Sequence, residues 1–339
     1  MPDLKLDVAW RFDAGDYVTA ATFSDDGALL VVGTGAGDVI ALDARTGETR
    51  WRHALHPGGV LALAWQPRGT QLVTAGQDRS PHLLDGATGR TSRRLEGSSA
   101  WVEHAAWSPD GRSLATSSGK VVRFWTPDGA PHLETPPHAS SLTALAWSRD
   151  GAELAVTCYG GVHFWSPRAG SQTRELPWKG SLISLAWSPD NKFVACGSQD
   201  CSVHFWRLAT GQDSEMTGYP SKPRALAWDA QSTALATGGD KTLVLWSFAG
   251  KGPEQTRPVE LTGHEDLVTG IQFHPRKAAL ASCARDKRVI LWSPRRSTAP
   301  VRALTLRDEA SLARWSPTGD GLACADVSGL VALWRPKVD

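Results

Sequence analysis

The chain has 339 residues, is 41% hydrophobic and 21% charged, and carries a formal net charge of +1. That balance is ordinary for a folded globular chain and excludes the excess of Lys and Arg that general polyanion binding requires. Five Cys at no paired spacing exclude a disulfide scaffold, and no apolar run approaches the roughly 18 residues of a membrane helix.

In chain order, Met1–Asp7 lacks the apolar core of a secretory signal, so a cytoplasmic chain is expected. Asp7–Phe12 then reads as a strand, and from there the pattern repeats. One aromatic precedes a turn signal at Phe23, Trp65, Trp107, Trp147, Trp187, Trp228, Phe273 and Trp315. A second anchor follows each, at Leu42, Leu84, Trp125, Trp165, Trp206, Trp246, Trp292 and Trp334. Both series count to eight, with intervals of 40 to 46 residues. Self-similarity at this period marks a repeat architecture and accounts for most of the sixteen Trp.

Each unit divides into four short strands. The first aromatic ends strand a, and Ser108-Pro109-Asp110-Gly111 shows the turn that follows, with Pro and Gly where a tight β-turn favours them. Leu114-Ala115-Thr116 represents strand b, and Val122-Arg123-Phe124-Trp125 represents strand c. A turn such as Ala209-Thr210-Gly211 leads to strand d, as in Thr49-Arg50-Trp51. Gly33–Gly37 joins two strands, so it reads as a hairpin turn and not as a phosphate loop.

Units of this length, with strand c closing on Leu-Trp or Phe-Trp, resemble the WD-repeat (WD40) β-propeller family along essentially the whole chain. The resemblance implies an all-β fold: one closed β-propeller domain over residues 1–339, with eight four-stranded blades and seven as the alternative count. The blades fall near 16–53, 59–96, 101–135, 141–177, 181–217, 222–261, 267–306, and 310–334 plus 4–12. Only five residues follow Trp334, so the N-terminal strand is expected to supply the last strand d and close the open edge. Scarce Asn and an excess of Arg over Lys point to a stand-alone bacterial member.

The same resemblance implies a hydrogen-bonded chain within a blade: a loop His, a strand b hydroxyl, the strand c Trp, and a loop Asp that fixes the His. His264, Ser282, Asp286 and Trp292 match all four positions. His56, Thr74 and Asp78 match three in the second unit, and His138, Thr157 and Trp165 match three in the fourth. His82, His163 and His204 sit two residues before the strand c anchor and are expected at half-exposed, tolerant positions. No zinc-ligand spacing and no nucleophile motif occurs, so no metal, no cofactor and no catalytic residue is expected.

In the family, the d–a and b–c loops ring one mouth of the channel and partners bind there. Applied to this chain, the resemblance gives Tyr17, Gln77, Trp101, Glu103, Gln199, Lys222, Arg224 and Arg285 as candidate partner-binding residues. Exposed aromatics and Arg are the usual anchors of interfaces. The expected function is a non-catalytic scaffold, a monomer within a complex, that binds a protein or peptide at this face without a membrane. The alternatives are a small-ligand sensor or propeller enzyme using the channel and, more weakly, nucleic-acid binding through Arg285, Lys287, Arg288, Arg295 and Arg296. The extended turn Ala249–Pro258 offers a lesser candidate on the opposite mouth.

Overall fold

Alternating apolar and polar residues, cut by Gly, Pro and Asp, produce strands almost throughout. The structure is a computed structural model and describes residues 6–250, 252–254 and 256–336. Leu4 and Lys5 of the expected closing strand, and Lys251 and Gln255 of the extended turn, lie outside the described residues. The strands form eight antiparallel sheets with a nearest-neighbour order of a-b-c-d, the fold class of an eight-bladed β-propeller; the count is eight, not seven. Among the described residues, no helix is long and apolar enough to cross a membrane.

By its contacts the chain divides into two compact units, one of Met1–Val18, Arg45–Gly47 and Ser188–Asp339, the other of Thr19–Ala44 and Glu48–Trp187. Within each unit the apolar core lies between consecutive blades. Val31, Val39, Ala41 and Trp51 of blade 1 pack on Val60, Leu72 and Leu84 of blade 2. In the other unit, Leu243 and Leu261 of blade 6 meet Val268, Leu280 and Ile290 of blade 7. Each Val, Leu or Ile among these, taken out of water, contributes about 1.5–3 kcal/mol before ordering costs. Gly89 shows how tight the contact is. Its φ is 70°, and a Cβ there would lie 2.5 Å from the Trp51 ring, whose indole N–H donates to the Gly86 carbonyl at 2.9 Å.

Blade 8 consists of Ala310–Trp315, Leu322–Asp326, Leu330–Pro336 and, as its strand d, Leu6–Asp13. The N-terminal strand pairs antiparallel with strand c from Leu6↔Pro336 to Asp13↔Leu330, with an irregularity between Val8 and Trp10. Leu6 is fully buried and Trp10 nearly so, so this strand is part of the core and not a trailing end.

Blade 4 differs in form. Its second strand, Leu154–Ser166, runs through the b–c turn and serves as both b and c. Its first residues pair with Ala144–Trp147 and its last with Ser171–Ser181, with a register shift between Tyr159 and Gly161, where Gly160 and Gly161 are both at positive φ. The anchors also differ in burial. Trp125, Trp206 and Trp292 are fully buried, whereas Trp65, Trp147, Trp187, Trp228 and Trp246 keep part of their rings at the surface.

Candidate functional site

Several blades carry a repeated backbone device at the start of strand a. In strands a of blades 2, 3, 7 and 8, a β-bulge skips one residue: Leu61, Glu103, Thr269 and Ser311. A bulge leaves its extra residue out of the ladder and re-aims the side chain. Where the residue four before the strand a aromatic is Thr, bulged or not, the hydroxyl ties neighbouring blades together. Thr19 donates to the Val60 carbonyl at 2.7 Å, Thr143 to Leu182 at 2.7 Å and Thr269 to Ala310 at 2.8 Å. Where it is Glu103, the carboxylate is exposed.

Gln77, Trp101 and Glu103 come together in one cleft of about 420 Å³, completed by Arg79, Ser99, Ala100, Gly119 and Ser141. Trp101 is 51% exposed. Its backbone is nevertheless held: the Ser98 N–H donates to the Arg79 carbonyl at 2.8 Å, and Ser118 Oγ donates to the Ala100 carbonyl at 2.8 Å. The neighbouring loop is Gly58-Gly59, both at positive φ, and a side chain at Gly58 would press on Gln77. That small loop leaves one flank of the cleft open.

In the other unit, Lys222 Nζ donates to Gln199 Oε1 at 2.8 Å, so these two candidates form a pair. Arg285 lies 3.8 Å from Glu309, Arg224 is exposed, and Tyr17 is 43% exposed. Trp178 lies within the strand Ser171–Ser181 and not in a loop, and it is half-buried. The Arg-rich stretch of blade 7 is already matched by acids. Lys287 meets Asp308 at 3.1 Å, Arg288 meets Glu265 at 2.9 Å and Arg295 lies 3.5 Å from Asp229. Arg295 and Arg296 follow strand c while the others precede or begin it. Neutralised cations divided between two ends of a strand make a poor phosphate track. The extended turn is likewise occupied: Glu254 binds Arg207 at 2.6 Å and accepts from Ser214 at 2.9 Å.

The interior polar chains are explicit. His264 Nδ1 is 2.9 Å from Asp286 and its Nε2 is 2.8 Å from Ser282 Oγ, which accepts the Trp292 indole N–H at 2.8 Å. His56 bridges Asp78 at 2.7 Å and Thr74 at 2.8 Å. In blade 4 the chain is shorter than expected: Trp165 donates directly to His138 Nε2 at 3.1 Å, and Thr157 turns instead to Thr143. A fourth chain was not anticipated from the sequence. In blade 6, Tyr219 takes the His position, meeting Thr237 Oγ1 at 2.8 Å and accepting the Trp246 indole N–H at 2.7 Å. Gly218-Tyr219, with a hydroxyl eighteen residues on at Thr237, was the available signal. Burial pushes the Tyr219 phenol up to about 12, so it stays protonated and can donate.

The expectation for the strand c histidines needs correction. His204 is fully buried, with Ser202 Oγ at 3.0 Å and Glu215 at 3.6 Å, whereas His82 and His163, which face strand d in the same register, stay partly exposed. Among the described residues, two triads could converge on a cation: His56, Asp78 and His82, and Asp200, His204 and Glu215. Each offers three ligands, and both ring nitrogens of His56 are already engaged.

Burial holds His56, His138 and His264 below the usual imidazole range, and burial together with nearby His56 pushes His82 down to about 4. An unfolded chain takes up these protons near pH 6.5. Between that value and the folded-state values the unfolded chain binds more protons, so stability present at pH 7 is lost as pH falls from about 6.5 toward 4. The urea midpoint is therefore expected to be lower at pH 5 than at pH 7.5. Equal midpoints would contradict the burial of these rings.

Comparison with known proteins places the chain among relatives. Five stretches, residues 49–85, 89–126, 170–207, 212–247 and 255–293, match the family described as WD40, WD domain, G-beta repeat, and together make up more than half of the chain. The chain belongs to the WD40 family. Each match begins at or near a strand d, so the WD40 sequence unit is offset from the structural blade. The WD repeat-containing protein slp1 of Schizosaccharomyces pombe is 24% identical over 83% of this chain and 50% of that protein. THO complex subunit 3 of Arabidopsis thaliana is 34% identical over 24% of this chain and 26% of that protein. The matches span half or less of these WD40 relatives' own length. The crystal structure of the computationally designed Ika8 protein superposes with a TM-score of 0.80 at 22% identity, over 95% of this chain and 97% of that one, a likeness of fold.

Proposed function

We propose that this WD40 chain is a single-domain, non-catalytic scaffold that binds a protein or peptide partner through the loop face carrying Trp101. The observation that carries this reading is the cleft of Gln77, Arg79, Trp101 and Glu103, in which a large aromatic stands exposed on a loop held by backbone hydrogen bonds. An anchor already fixed in place loses little freedom on binding. Aromatic and Arg side chains supply most interface energy, and here both stand beside a carboxylate and amide able to fix orientation. Membership of a complex, printed in the name of the THO subunit, is consistent with a partner protein.

The test is affinity capture from a lysate of the source organism, using the native chain, Trp101→Ala and Arg224→Ala. Trp101→Ala is expected to weaken the partner by about 2 kcal/mol or more while shifting folding stability by no more than about 0.5 kcal/mol. Partner recovery that is unchanged by Trp101→Ala and Arg224→Ala would place binding elsewhere.

A further inference from the structure

Blade 6 carries a second cleft that the loop-face reading does not use. Its strands b, c and d are Ala234–Gly238, Thr242–Ser247 and Val259–Thr262. The cleft measures about 400 Å³ and is walled by Tyr219, Val244, Trp246 and Pro258, with Asp240 and Glu260 at its polar side.

The replacement of His by Tyr explains why a carboxylate stands open there. In blade 7, Asp286 is consumed by His264 Nδ1 at 2.9 Å and by the Glu265 N–H at 2.9 Å. Asp240 occupies the same place in blade 6, six residues before the strand c Trp. Tyr219 satisfies Trp246 and Thr237 through its single hydroxyl and has no second polar atom to offer Asp240. Among the described residues, neither the Asp240 nor the Glu260 carboxylate has an ion pair or a hydrogen bond, and Lys241 and Arg257 nearby pair with neither. Trp246 is also less covered than Trp125, Trp206 or Trp292, leaving part of its ring open to the cleft.

We infer that this cleft is a binding site for an arginine side chain of a partner. The walls are aromatic and apolar and, among the described residues, the two charged groups lining the cleft are both acids, so the complement is a cation with a flat, weakly hydrated face. A guanidinium stacks on an aromatic ring and pairs with carboxylates through a planar fork, whereas an ammonium is compact and strongly hydrated. The site stands on its own residues and does not depend on the Trp101 cleft.

The experiment follows the indole N–H resonance of Trp246, assigned with Trp246→Phe, while the full chain is titrated with the peptide Gly-Ser-Arg-Ser-Gly amide. Saturable shifts are expected. The same peptide with citrulline, neutral and similar in shape, and the double variant Asp240→Asn/Glu260→Gln are each expected to bind at least about tenfold more weakly, tenfold being about 1.4 kcal/mol. Among the described residues neither carboxylate has a hydrogen bond to lose, so the double variant should melt as the native chain does, and this is checked by thermal unfolding. Trp101→Ala should leave the titration unchanged, which separates this site from the loop-face reading. The inference is overturned if no saturable shift occurs, if citrulline or lysine peptides bind as well as arginine, or if the double variant retains native affinity.

Discussion

A chain lacking residues 1–13 is expected to lose cooperative folding and to aggregate. The truncation removes strand d of blade 8, which pairs with strand c from Leu6↔Pro336 to Asp13↔Leu330. It also removes Leu6, fully buried among Leu304, Leu306 and Leu330, and the nearly buried Trp10. Losing a buried Leu and a buried Trp each costs about 3 kcal/mol or more, and together they approach the 5–15 kcal/mol total of a typical domain. The ion pairs Arg302–Asp7 and Arg307–Asp13 are exposed and add little. What remains is an unpaired strand edge along Leu330–Pro336, a template for association with another chain. Thermal unfolding and limited proteolysis read the outcome, with early cleavage expected between Leu312 and Trp334. A truncated chain with the native melting temperature and solubility would show that the pairing contributes little.

The blade count and the source of the last strand were legible because both depend on a period. A Trp every forty-odd residues reports where each sheet lies whatever its neighbours are, and the N-terminal strand stands out because blade 8 lacks its own strand d. Side-chain environment was less legible. The residue four before the strand a aromatic is Thr19, Glu103, Thr143, Arg224 or Thr269 in different blades. Its Thr hydroxyls bind the next blade's backbone, while Glu103 and Arg224 stand in solvent. The bulge that frees Glu103 and Thr269 is a feature of the ladder and leaves no mark in composition. The histidines mislead for a related reason. His82, His163 and His204 share a register, yet only His204 is fully enclosed, since the residues around each ring differ: Arg94, Glu175 and Glu215 face them across the sheet, and Ser202 Oγ lies against His204. The repeat pattern assigns a position, and the volume around it comes from residues far away in the chain.

Trp292→Ala is expected to cost about 3–5 kcal/mol, the largest effect of any single substitution considered. Trp292 is fully buried between blades 6 and 7 and packs with Leu243, Leu261 and Ile290, so its removal leaves a cavity that rigid strands cannot close. It also strands Ser282 Oγ, which accepts its indole N–H. His264→Ala acts on the other side of that hydroxyl and should cost about 1–3 kcal/mol, because it leaves the buried Asp286 carboxylate and Ser282 each short of a partner. The two residues share Ser282, so the double variant should cost less than the two single losses added together, by on the order of 0.5–3 kcal/mol. His204→Ala is a useful comparison. Its full burial implies a loss of similar order to His264→Ala, where a half-exposed site would give almost none. Urea unfolding of the four variants decides the matter. Additive losses for His264→Ala and Trp292→Ala would show that the hydrogen-bonded chain through Ser282 does not act as a unit.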